Sequence, residues 1–61
     1  MAAKFEIYKD KSEEFRWRLI HTNGQVIANS GEGYTTKANA MSGIKSVKDN
    51  APTANVEDKT V

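Results

Sequence analysis

The chain has 61 residues and no cysteine, and its nine Lys or Arg side chains against eight Asp or Glu give a net charge of +1. These numbers exclude disulfide bridges and thiolate metal sites, and they provide no strong field for binding nucleic acid or an anionic membrane. A domain of this size buries only about 60% of the surface that its unfolded chain exposes. We therefore expect one domain over residues 1–61, ordered over about 3–58, that gains stability by forming a homodimer.

The composition also sets expectations for location and cofactors. The lack of cysteine fits a reducing compartment, and no apolar stretch is long enough for a signal peptide or a membrane helix. We expect a cytoplasmic protein with no membrane association. His21 is the only histidine and cannot build a zinc site alone, so no metal and no cofactor are expected.

The first two predicted elements are strands, because apolar and polar residues alternate in both. In residues 4–9, Phe5 and Ile7 share one face. Residues 15–21 alternate in the same way, and the aromatic side chains Phe15 and Trp17 fall on one face of that strand. The polar residues 10–14 between the strands are expected to form a hairpin loop.

The third strand follows a strong turn signal. Asn23 and Gly24 tolerate the positive φ angles of a two-residue type I′ turn, so the sequence predicts a tight hairpin there. Residues 25–29 then form the third strand of an antiparallel meander.

A helix is predicted next, because the apolar spacing changes to three and four residues. Thr35 or Thr36 is expected to cap its N-terminus, and the Asn50-Ala51-Pro52 sequence to end it. Gly43 inside the helix costs about 1 kcal/mol relative to alanine, which suggests a close approach of the helix to the sheet. The face expected to cover the aromatic side of the sheet carries four residues: Ala38, Met41, Ile44 and Val47.

Residues 54–58 complete the predicted fold as a short C-terminal strand. The fold class is therefore α+β, with the order β-β-β-α-β. After one helical crossover, this strand would have to lie parallel to a strand of its own sheet, where such a short edge strand is weak. It could instead pair with a second copy of the chain in a two-fold dimer.

Several stretches of the chain resemble the YegP-like family of small bacterial proteins. They include the FEIYKD start, the FRWRL strand, the NG turn, SGEGY, and the GIKSVK and NAP segments, and together they span residues 4–52. The resemblance implies an antiparallel sheet with one helix. It also implies homodimers of single-unit chains and longer relatives with two units. It implies no activity and no catalytic or binding residues.

The NSGEGYTTK stretch, residues 29–37, could form either a phosphate-binding loop or a simple bend. The spacing of Gly31 and Gly33 matches neither the dinucleotide nor the P-loop pattern, and Glu32 places a negative charge where a phosphate would lie. We therefore interpret the glycines as residues that adopt backbone angles other residues resist.

Two surfaces are candidates for interaction. Lys4, Arg16 and Arg18 could contact nucleic acid from the open face of the sheet, although Glu6 on that face can pair with an arginine. The alternating Trp17 is expected to point into the core. A dimer interface is predicted at four apolar residues: Tyr8, Ile20, Ile27 and Val56.

Catalysis has little support in the sequence. His21 could pair with Asp10, Glu13 or Glu14 as a base, but no nucleophile has a suitable context, and so small a domain offers no deep pocket. We expect an uncharacterised, non-enzymatic structural or interaction module. The alternative is a weak nucleic-acid-binding protein that uses the exposed sheet face.

Overall fold

The sheet and helix follow the predicted order in a computed structural model that describes residues 2–60. The strands are β1 (Lys4–Lys9), β2 (Phe15–Ile20) and β3 (Val26–Asn29), followed by helix α1 (Lys37–Asn50) and one 3₁₀ turn, Ala51–Thr53. The strand order is β1-β2-β3, and both pairings are antiparallel. The α+β architecture of three antiparallel strands and one helix is therefore confirmed.

The loop between β1 and β2 is organised by the side chain of Asp10. Its Oδ1 accepts hydrogen bonds from the backbone N–H of Ser12 at 2.8 Å and of Glu14 at 3.0 Å. The backbone N–H of Glu13 donates to the Asp10 carbonyl at 3.0 Å, and Glu13 takes a φ of 62°. A short polar side chain thus fixes the turn that sets the β1–β2 register from Lys4–Ile20 to Lys9–Phe15.

The second hairpin forms at the predicted place, but the predicted type I′ turn is wrong. The His21 N–H donates to the Gln25 carbonyl at 2.8 Å, and the Gly24 N–H donates to the His21 carbonyl at 2.9 Å, so the loop has three residues. Only Gly24 of the Asn23-Gly24 pair has a positive φ, at 92°. One left-handed glycine after a turn gives the strands a compatible twist without a second strained residue.

Strand β3 contains an irregularity that changes which residues face each other. Ile20 lies opposite Val26, and Leu19 lies opposite Ala28, which leaves Ile27 without a partner in the register. A bulge of this kind inserts one residue and resets the alternation of side chains. Val26, which the sequence pattern did not single out, therefore lies beside Ile20.

After β3 the chain leaves the sheet and returns to it. The Ser30 N–H donates to the Trp17 carbonyl at 2.9 Å, and Gly31 then turns the chain with a φ of 72°. Tyr34 rejoins β2 through two backbone hydrogen bonds of 2.8 Å with Phe15. The stretch from 29 to 37 is thus a bend between strand and helix, anchored on both sides to β2.

Helix α1 begins at the predicted cap, but only part of its predicted face lies against the sheet. Thr36 Oγ1 accepts the Asn39 N–H at 3.1 Å. Ala40 and Ile44 are buried, whereas the predicted core residues Ala38 and Met41 are exposed, Met41 by 52%. The predicted face is therefore correct for Ile44 and Val47, which lie in or against the core, and wrong for Ala38 and Met41, because the helix turns Gly43 towards the sheet.

The predicted strand at 54–58 is not formed in the structure. Pro52 lies in the 3₁₀ turn that follows α1, and no strand occurs between residue 54 and residue 60. Val56 is 96% exposed. A strand needs a hydrogen-bonding partner, and residues 54–60 make no backbone hydrogen bond with the three strands.

The core is small and lies between β2 and the helix. Its buried residues are Trp17, Ala40 and Ile44, and five partly buried side chains pack around them: Phe5, Ile7, Phe15, Tyr34 and Val47. The helix packs mainly on β2, so the side of the sheet near β1 has less cover. Within residues 2–60, α1 is too short and too polar to cross a bilayer.

Candidate functional site

The loop from 29 to 37 uses its polar groups internally and not as an anion cradle. The Gly31 N–H donates to Asn29 Oδ1 at 3.0 Å, and the Ser30 hydroxyl donates to the Glu32 carbonyl at 2.8 Å. Gly31 needs its positive φ, which confirms the backbone interpretation for that glycine. Position 33 requires glycine for a different reason: a Cβ there would overlap the side chain of Glu14.

The open face of the sheet carries ion pairs at one end of β2. The Arg16 Nε donates to Asp10 Oδ2 at 2.5 Å, and the same carboxylate accepts backbone hydrogen bonds from its own loop. The hydrogen bond from Arg16 is the main reason that the pKa of Asp10 lies below its ordinary value, and it raises the pKa of Arg16. Arg16 therefore connects β2 to the loop between β1 and β2.

A second ion-pair group lies on the same face. The Arg18 Nε donates to Glu6 Oε1 at 3.0 Å, and Lys4 Nζ lies 3.3 Å from Glu6 Oε2. The hydrogen bond from Arg18, followed by that from Lys4, lowers the pKa of Glu6. The Arg18 guanidinium also lies 4.5 Å from the centre of the Tyr8 ring, a cation–π contact.

These contacts decide how the predicted nucleic-acid residues are arranged. Lys4, Arg16 and Arg18 do lie on one sheet face, but each is paired with a carboxylate. Trp17 is 5% exposed on the opposite side, so it is not available to stack on a base. The face is a salt-bridged β-sheet surface with little uncompensated positive charge.

Within residues 2–60, the ring of His21 makes its hydrogen bonds to its own turn. Its Nδ1 lies 3.3 Å from Thr22 Oγ1 and accepts the Asn23 N–H at 3.2 Å. Asp10 and the glutamates of the first loop lie at the other end of β2, about 20 Å away for a six-residue strand. Among residues 2–60, His, Asp and Glu side chains form no group of three that could hold a metal ion.

The four predicted interface residues do not form one surface. Tyr8 and Ile20 are partly buried on the ion-paired face, whereas Ile27 is 55% exposed at the bulge in β3. Val56 lies in the C-terminal segment, remote in sequence and outside the sheet. The exposed Val26 beside Ile20 extends the apolar part of this face.

A surface that the sequence pattern did not reveal lies along β1, on its helix side except for Tyr8, whose ring contacts Arg18 on the ion-paired face. We call it the β1 groove; its lining residues are Phe5, Ile7, Tyr8, Lys9, Phe15 and Lys37. Lys9 Nζ lies 5.2 Å from the centre of the Phe15 ring at its rim. A helix is about 10 Å wide and strands are about 4.8 Å apart, so one helix covers only about two strands. Counting elements in this way could have indicated that part of the aromatic face stays open.

The chain is similar to proteins of comparable length in several organisms. A family model described as "Domain of unknown function (DUF1508)" matches residues 10–58. A UPF0339 protein of Treponema denticola is 62% identical over 56 residues, which are 92% of this chain and 95% of the relative. UPF0339 protein Msl4696 of Mesorhizobium japonicum is 53% identical over 98% of this chain and 100% of its own.

Two further matches concern length and fold. The UPF0339 protein in the ptx operon 5′ region of Stutzerimonas stutzeri is 54% identical over 85% of this chain, but the match spans only 46% of that relative. The solution structure of a protein from Haloferax volcanii superposes with a TM-score of 0.89 at 51% identity, covering 93% of this chain and 95% of that one. The protein therefore belongs to the DUF1508 family of small UPF0339 proteins, which is the family that the YegP-like resemblance indicated.

Proposed function

We propose that the protein is a homodimeric, non-enzymatic interaction module of the cytoplasm. The observation that carries this proposal is the β1 groove. Its aromatic floor is only partly buried, and the buried core beside it consists of three residues. So small a core gives little stability alone, and covering the groove with a second copy would add buried apolar area.

The free edge of β1 supports the same proposal. β1 is at the outside of the sheet, so one row of its backbone N–H and C=O groups has no strand partner within residues 2–60. Such edges pair readily with extended segments of another chain. The segment from 54 to 60 is available for this, and we infer that the predicted C-terminal strand forms when it meets a second copy.

The longer relative from Stutzerimonas stutzeri supports pairing as well. This chain matches a little under half of that protein, which leaves room for a second unit of similar size. In a chain with two units, the units are joined covalently. Two copies of this chain would form the same pair by association.

The ion-paired face is a second candidate interface, with Ile20 and the neighbouring Val26 as its apolar residues. We favour the β1 side, because Arg18 already covers Tyr8 and the surrounding charges would have to lose water on association. The Ile20→Asp substitution therefore serves as the control for the interface.

The proposal is tested by the molar mass in solution. The full chain should have twice its 6.8 kDa mass in light scattering at micromolar concentration. Deletion of residues 54–61 should give a monomer, whereas Ile20→Asp should leave the dimer intact. A cooperatively folded monomer of the full chain would contradict the proposal, and dissociation by Ile20→Asp alone would move the interface to the other face.

The alternative function, weak nucleic-acid binding, would use Lys4, Arg16 and Arg18. The pairing of each cation with a carboxylate and the net charge of +1 count against it. Fluorescence anisotropy with labelled DNA and RNA at low salt separates the two functions. Binding that weakens steeply with added salt would favour the alternative.

A further inference from the structure

The second hairpin loop contains the asparagine of this chain that is best placed to deamidate. Deamidation begins when the backbone nitrogen of the following residue attacks the side-chain carbonyl carbon of asparagine, and a side chain on that following residue hinders the attack. Glycine has no Cβ. Of the five asparagines, only Asn23 precedes a glycine; the others precede Ser30, Ala40, Ala51 and Val56. Asn23 and Gly24 are both exposed, so water reaches the pair.

The hydrogen bonding of the attacking nitrogen opposes this reaction in the folded chain. The Gly24 N–H donates to the His21 carbonyl at 2.9 Å. The bond that forms in the first step joins the Gly24 nitrogen to Asn23 Cγ and takes the place of the N–H bond. In the folded loop that position is directed at the His21 oxygen. The nitrogen therefore reaches Cγ only after this hydrogen bond has broken and the peptide group has turned.

A second hydrogen bond in the loop acts in the other direction. The Gln25 N–H donates to Asn23 Oδ1 at 2.9 Å, and a donor at this oxygen stabilises the negative charge that develops there during the attack. The donor can help only once the nitrogen has been freed. The contact between Gly24 and His21 therefore controls the rate.

We propose that Asn23 is a deamidation site that the folded second loop keeps closed, and that the reaction proceeds when the loop opens. In the opened loop, the Gly24 nitrogen loses its proton to water or hydroxide and forms a bond to Asn23 Cγ. The Cγ–Nδ2 bond then breaks, and Nδ2 leaves as ammonia after taking up a proton from solvent. Water opens the resulting succinimide ring at either of its two carbonyls, which gives aspartate or isoaspartate without oxidation or reduction.

The two products affect the loop differently. Either one adds a carboxylate at position 23, which makes nine acidic side chains against nine basic ones and lowers the net charge from +1 to 0. Aspartate keeps the oxygen that accepts the Gln25 N–H. Isoaspartate lengthens the main chain by one methylene group, so the two backbone hydrogen bonds from His21 to Gly24 and Gln25 no longer fit the same turn.

Mass spectrometry of the full chain tests the proposal. The folded protein and the same protein in guanidinium chloride are incubated at one mildly alkaline pH, and the tryptic fragment 19–37 is followed over time. Asn23 should convert first in denaturant. It should convert at least about tenfold more slowly in the folded chain, because one backbone hydrogen bond corresponds to about that factor. Asn23→Gln is the control and should remove the signal, since its side chain would need a larger ring.

A pair of loop variants tests whether the second loop supplies the protection. Thr22→Gly loosens this loop and should raise the rate in the folded chain by about threefold. Ser12→Gly, the matched change in the first loop, should leave the rate close to that of the parent. The loop contributes no residue to the lining of the β1 groove, so the result does not depend on whether the chain forms a dimer.

Three results would overturn the proposal. The first is a folded chain that deamidates at Asn23 as fast as the denatured chain, or faster. The second is a denatured chain in which another asparagine converts before Asn23. The third is an equal acceleration by Thr22→Gly and Ser12→Gly, which would assign the protection to the stability of the whole domain and not to the loop.

Discussion

Gly43 shows how one missing side chain determines the orientation of the helix. A Cβ at this position would lie 2.5 Å from the Tyr34 hydroxyl oxygen and 3.1 Å from Trp17 Nε1. The helix can therefore approach β2 closely only because this residue is glycine. The approach buries the Trp17 indole, and its Nε1 has no hydrogen-bond partner among the described residues. The packing gain evidently outweighs that loss, although an unsatisfied buried donor costs about 1–3 kcal/mol.

We predict that Gly43→Ala destabilises the protein by up to about 2 kcal/mol. Alanine gains about 1 kcal/mol in helix propensity, but overpacking a tight contact costs about 1–3 kcal/mol and includes a clash with an aromatic ring. Chemical denaturation monitored by Trp17 fluorescence measures the change. The exposed Ser42→Ala is the control and should be neutral or slightly stabilising. In a Tyr34→Phe background the cost of Gly43→Ala should be smaller; an equal cost would show that the hydroxyl is not the obstacle.

At the scale of elements, the two hairpin loops have the same backbone hydrogen-bond pattern but differ in the residue that adopts a positive φ. Each is closed by backbone hydrogen bonds between its first and last residues, and each contains a residue with positive φ. That residue is Gly24 in the second loop but Glu13 in the first. A residue with a Cβ is less stable than glycine in this conformation by about 1–2 kcal/mol.

We predict that Glu13→Gly stabilises the protein by up to about 1 kcal/mol, since relief of the left-handed backbone outweighs the extra entropy of glycine in the unfolded chain. Ser12→Gly in the same loop is the control; Ser12 has no positive φ, so this change should be destabilising. Gly24→Ala should cost about 1–2 kcal/mol. Urea midpoints measure all three variants. Destabilisation by Glu13→Gly to the same extent as by Ser12→Gly would contradict the assignment of strain.

For the whole molecule, the arrangement of charges makes stability depend on pH. Glu6 and Asp10 each hold two elements together: Glu6 connects β1 with β2, and Asp10 connects the first loop with Arg16. Both have a pKa below the ordinary value because an arginine donates to them. Each therefore binds fewer protons in the folded than in the unfolded chain near pH 4.

We predict that the melting temperature falls as the pH drops below about 4. The contribution of these carboxylates is complete above their unfolded-state pKa of about 4 and is lost as the pH falls through the lowered folded-state values. Differential scanning calorimetry between pH 2 and 7 measures the change. The Glu6→Gln and Asp10→Asn variants should be less stable at neutral pH and show a smaller fall in acid. A fall of the same size in both variants would show that other groups control it.

The sequence by itself determined the order of the three strands and the helix, because hydrophobic periodicity, the Thr36 cap and the Asn-Gly turn act over a few neighbouring residues. It also placed Trp17 in the core, predicted an ion pair of Glu6 with Arg16 or Arg18, and indicated a close contact at Gly43. The tertiary structure decided which face α1 presents, where β3 bulges at Ile27, and that the aromatic floor beside β1 is left partly open. Those features depend on how a helix about 10 Å wide packs over a three-stranded sheet. Local sequence patterns carry no information about that packing.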